Sequence, residues 1–81
     1  MTLGEKIKEA RKQSGLSQEQ LAEKIGISRS AVAKWENDNG IPDADNLKAL
    51  SGLLNVSIDY LLDNGENTDK YVIKESIDLS E

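Results

Sequence analysis

Residues 28–37 read SRSAVAKWEN. Val32 and Trp35 fall three apart, the spacing of one buried helical stripe, whereas Arg29, Ser30, Ala33 and Lys34 are small or polar and point the other way. Such a face offers a guanidinium, an ammonium and a hydroxyl around one small apolar residue: hydrogen-bond donors and positive charge. The rest of the chain lacks two of the commonest catalytic groups. It has no histidine and no cysteine, so the commonest general base, the commonest metal ligand, a thiolate zinc site and a disulfide framework all drop out. An enzyme would need a carboxylate pair in a pocket, for which a domain of 81 residues has little room. No catalytic residue, no metal and no cofactor are expected.

The net charge is −5, which taken whole argues against nucleic acid as a partner. Its distribution reverses that argument. Residues 1–34 hold seven basic side chains (Lys6, Lys8, Arg11, Lys12, Lys24, Arg29, Lys34) and four acidic ones (Glu5, Glu9, Glu19, Glu23), a net of +3. Residues 35–81 hold three basic and eleven acidic, a net of −8. A charge split between halves marks a polyanion-facing end. No run approaches the roughly 18 apolar residues of a membrane span, and the N-terminus lacks the apolar core of a signal peptide. A cytoplasmic protein with no membrane partner is the expectation.

Five short helices are predicted to position the basic face. Thr2-x-x-Glu5 is a capping box opening the first, with Leu3, Ile7 and Ala10 as its buried stripe and Gly15 near its end. Ser17-x-x-Gln20 is a second capping box, followed by Leu21, Ala22 and Ile25 and stopped by Gly26. Ser28 caps the third, which carries Val32 and Trp35. Asn37 to Pro42 is a turn by composition. Asp43 caps a fourth helix lined by Leu47, Leu50, Leu53 and Leu54; Ser57 caps a fifth with Ile58, Leu61 and Leu62, closed by Asn64-Gly65. The expected organisation is a helical domain over residues 1–65 and an acidic tail over 66–81, poorly ordered or partner-dependent.

The acidic run from Glu36 to Asp45 invites a calcium loop, and the spacing rejects it. With Gly40 at the sixth position, Trp35 falls at the first, where an aspartate is required, and Asn46 at the twelfth. These residues are expected to do turn and cap chemistry.

From Gln18 to Trp35 the sequence QEQLAEKIGISRSAVAKW places small Ala22 between two helices, glycine in the tight turn where positive φ is cheap, and Leu21, Ile25, Ile27, Val32 and Trp35 beneath. Two helices joined by a glycine turn at this spacing are the helix-turn-helix signature. On SGLSQEQLAEKIGISRSAVAKWEN, Pro42-Asp43, Leu47, Leu50 and NVSIDYLL, the chain resembles the Cro/CI-type (XRE-like) helix-turn-helix DNA-binding domains over about Leu3 to Leu62.

The resemblance implies an all-α, compact five-helix bundle of the lambda-repressor-like type. It also implies a sequence-specific transcriptional regulator, a repressor, whose recognition helix from Ser28 to Asn37 lies in the major groove of a palindromic operator. Arg29, Ser30, Ala33 and Lys34 become base-contacting residues: Arg29 suits guanine O6 and N7, Ala33 a thymine methyl, and Lys34 a guanine or a phosphate. Gln18, Ser28 and Asn37 become backbone-contacting residues, Gln18 at the positive end of its helix. Lys6, Lys8, Arg11 and Lys12 would add diffuse attraction at most. Half-site geometry implies a homodimer, with Ile58, Tyr60, Leu61, Leu62 and Tyr71-Val72-Ile73 as candidate contacts and the tail as a place for a regulatory protein. The rival is a protein-interaction module on the same fold, antitoxin-like or anti-repressor.

Overall fold

Each helix begins where a side chain closes its first turn. In a computed structural model, which describes residues 1–63, the order is α1 Leu3–Gln13, α2 Gln18–Ile25, α3 Arg29–Glu36, α4 Ala44–Leu54 and α5 Ile58–Leu62. Both capping boxes form: Thr2 with Glu5 and Ser17 with Gln20 each exchange two hydrogen bonds of 2.8–3.1 Å. Ser28, Asp43 and Ser57 accept from the backbone N–H three residues on. Each such cap contributes about 1 kcal/mol. Gly26 ends α2 at φ +75°, a left-handed conformation that strains any residue with a β-carbon.

The core takes residues from every helix: Ile7 and Ala10, Leu21 and Ala22, Val32 and Trp35, Leu47, Leu50 and Leu54, and Leu61. Leu3, Ile25 and Leu53, expected within the apolar stripes, sit half-buried at its rim. Helix α3 packs on both α1 and α2, and α5 packs on α1 and α4. The helix carrying the basic face is therefore braced from two sides.

Four expectations need correction. Leu61 is 1% exposed; it is core and not available as a dimer contact, because α5 must bury one apolar side chain to dock on the bundle. Lys6 is buried and its Nζ donates to the carbonyls of Tyr60 and Asp63, so it closes the C-terminal end of α5 and is not a free surface charge. Arg11 is buried in an ion pair. Glu36, read as part of the turn, is the other half of that pair. Asn64-Gly65, the tail 66–81 and Tyr71-Val72-Ile73 lie outside the described residues.

The turn after α3 is tied to the start of α1. Asp38 stands at φ +62°, and its carboxylate accepts from Thr2 Oγ1 at 2.8 Å and from Gly4 N at 3.0 Å. A negative charge here faces the positive end of α1. Asp38→Ala loses both bonds and a side chain that tolerates that φ better than alanine does. It is expected to lower stability by about 1–2 kcal/mol in urea unfolding.

Candidate nucleic-acid interface

The orientation of α3 follows from what it buries. Val32, Trp35 and Glu36 turn inward at helical spacing, so Arg29, Ser30, Lys34 and Asn37 all emerge exposed on the opposite side, with Ala33 half-buried among them. Arg29 is the first residue of the helix, and Ser28 and Asn37 are its two caps. The expected recognition segment is thus two cap residues around an eight-residue helix.

Electrostatics on this face is unspent. Among the described residues the ion pair is Arg11–Glu36, and neither Arg29 nor Lys34 is drawn into one. Ser28 Oγ accepts from Ala31 N at 3.2 Å and lies 3.1 Å from Ser30 Oγ. Since Ser28 Oγ already takes that N–H as acceptor, its own proton can go to Ser30 or outward. Gln18, the first residue of α2, is half-buried and donates from Nε2 to Glu36 Oε1 at 3.0 Å. Gln18, Ser28, Arg29, Ser30, Ala33, Lys34 and Asn37 thus belong to α2, α3 and their caps, the two helices that pack most extensively on each other.

Arg11 and Glu36 are the residues that the sequence reasoning missed. Arg11 donates from Nε and Nη2 to the two carboxylate oxygens at 2.6 and 3.1 Å, and from Nη1 to the Leu16 carbonyl at 2.8 Å. The hydrogen bond to Glu36 is the largest influence on the guanidinium and holds its pKa above the ordinary value; burial opposes this, and the opposite charge of Glu36 adds to it. The signal was in the register. Arg11 follows Ile7 by four residues and Glu36 follows Val32 by four, so each stands on the stripe that must be buried.

The helix-turn-helix family model matches residues 7–61. The chain belongs to the Cro/CI-type helix-turn-helix family. That family comprises DNA-binding transcription regulators. This helix-turn-helix protein is 44% identical over 70 residues to the HTH-type transcriptional regulator ImmR of Bacillus subtilis (strain 168), covering 86% of the chain and 55% of ImmR. The chain thus spans about half of that relative's length. Its fold is similar to the repressor protein C2 of Salmonella phage P22 in complex with synthetic operator 9T, with a TM-score of 0.74 and 39% identity over 76% of this chain and 94% of that one. It is also similar to SinR of Bacillus subtilis, a master regulator for biofilm formation, in complex with DNA: TM-score 0.72 and 36% identity over 76% of this chain and 100% of that one. Among the described residues no helix is long and apolar enough to cross a membrane.

Proposed function

We propose that this chain is a cytoplasmic, sequence-specific transcriptional repressor whose residues 1–65 bind a palindromic operator as a homodimer, with α3 in the major groove. The observation that carries the reading is the α3 face: two cations and a hydroxyl around Ala33, directed outward and free of internal ion pairs, on a helix fixed from two sides. Arg29 reads a guanine through its two parallel donors, Ala33 lies against a thymine methyl, and Ser30 and Lys34 complete the base contacts. Gln18, Ser28 and Asn37 hold the phosphate backbone on either side of that helix. Tyr60 at 41% and Leu62 at 51% exposure are the apolar side chains of α5 left for a second copy, with Ile58 half-buried beside them.

Selection of bound duplexes from a random pool tests the reading, with Arg29→Ala/Lys34→Ala alongside wild type. The expected result is a palindromic motif enriched by wild type and lost by the double variant. Equal enrichment by both, or none at low and moderate salt, overturns it. On the enriched duplex, Arg29→Ala is expected to cost about 1–3 kcal/mol and relax preference at one position per half-site. Lys34→Ala is expected to weaken binding and to relax preference at a second position per half-site.

A further inference from the structure

Glu36 Oε1 accepts from two donors at once, Arg11 Nη2 at 3.1 Å and Gln18 Nε2 at 3.0 Å. The carboxylate is fixed by Arg11 Nε at 2.6 Å, and its side chain is 2% exposed. Arg11 also holds the Leu16 carbonyl, immediately ahead of the Ser17 cap of α2. Three helices therefore meet on one oxygen: α1 through Arg11, α2 through its first residue, α3 through its last. An ionised carboxylate has no proton to give, so the Gln18 amide must turn its nitrogen toward it. Flipped over, the amide would set its carbonyl against Oε1, acceptor against acceptor. Glu36 uses one Nε2–H, and the second remains for an outside acceptor.

We infer that Glu36, held by Arg11, is a positioning residue for a phosphate contact made by Gln18. The inference rests on the function proposed above, which assigns Gln18 to the DNA backbone. A phosphate oxygen, like the carboxylate, only accepts, so the contact exists in one of the two amide orientations. Glu36 selects that orientation before DNA arrives. Without it both orientations are populated, and the side chain must be ordered during binding. Because Glu36 ends α3, the same hydrogen bond sets the phosphate contact in register with the helix proposed to read bases.

The test uses the full chain and the duplex that wild type enriches, with affinities referred to the folded fraction measured by circular dichroism. Gln18→Ala weakens binding about tenfold, the loss of one hydrogen bond to a charged group. Arg11→Met/Glu36→Leu removes the shared oxygen but keeps its volume; binding falls about three- to tenfold, and the triple variant with Gln18→Ala binds no more weakly than Gln18→Ala alone. A merely structural pair gives losses that multiply, and that result overturns the inference. Should the apolar double variant not fold, Glu36→Gln enters the same cycle. In wild type itself, the Gln18 side-chain amide is expected to show one slowly exchanging proton by NMR and to shift on adding duplex; an averaged, unresponsive amide overturns the inference. Additive losses alongside a motif that Arg29→Ala/Lys34→Ala destroys would sink the positioning role alone. No enriched motif sinks the function with it.

Discussion

Glu36→Ala is expected to lower stability by about 3–5 kcal/mol, which is most or all of what a core of this size supplies. The variant should be largely unfolded by circular dichroism at 25 °C without denaturant. The loss does not measure what the pair contributes. Removing the carboxylate strands a guanidinium that is buried, has given up its hydration and keeps only the Leu16 carbonyl as partner. Arg11→Met/Glu36→Leu strands no buried charge, only the half-buried Leu16 carbonyl and Gln18 amide, and its stability in urea unfolding is expected within about 1 kcal/mol of wild type or above it. Removing one partner therefore costs far more than removing both. A loss under about 1 kcal/mol for Glu36→Ala would mean that the pair behaves as a solvated surface contact.

The sign of the pH dependence follows from Arg11. Its pKa is raised in the folded chain, chiefly by the hydrogen bond to Glu36. Stability gained this way is complete below the unfolded-chain value and is lost only as pH climbs past it, into strong alkali. A guanidinium does not itself titrate near neutral pH, where a histidine in its place would.

The local features were legible because each is a short-range pattern. Thr2, Ser17, Ser28, Asp43 and Ser57 cap where their spacing to the next apolar residue says they should, and Gly26 turns with positive φ. The exposed side of α3 could be read for the same reason: Val32 and Trp35 fix which way the helix faces. What the pattern missed is long-range. Arg11 and Glu36 are 25 residues apart, and Thr2 and Asp38 are 36 apart. A charged residue on an apolar stripe reads as an error in one helix until a second helix is seen to supply the opposite charge. Lys6 followed the same logic: its distance from α5 is set by tertiary packing, so it counted as surface charge. Leu61 was misplaced because a five-residue helix gives periodicity too few turns to decide which side is buried.

Gly4 was silent in the sequence, and Gly4→Ala carries the second large effect. Helix propensity alone says alanine should stabilise a helical position by up to about 1 kcal/mol. Packing says the opposite. A Cβ on Gly4 would lie 2.7 Å from the Glu36 carbonyl oxygen and from Asp38 Oδ1, and closer still to the carbonyl oxygen of Trp35. Two of those three are backbone atoms at the C-terminal end of α3, which cannot swing aside as a side chain can. Relief requires α1 and α3 to separate, which would disturb the Gly4–Asp38 hydrogen bond. Overpacking of this kind costs about 1–3 kcal/mol and can cost more, so packing wins and the net loss is expected to be about 2 kcal/mol. Gly52 supplies the control. It lies exposed within α4 with nothing within 4 Å of its Cβ position, so Gly52→Ala is expected to stabilise by about 0.5–1 kcal/mol. Urea midpoints of the two variants should therefore shift in opposite directions. A Gly4→Ala chain as stable as Gly52→Ala would mean that the start of α1 and the end of α3 do not approach this closely. The end of α3 would then lack the support from α1 on which its orientation rests.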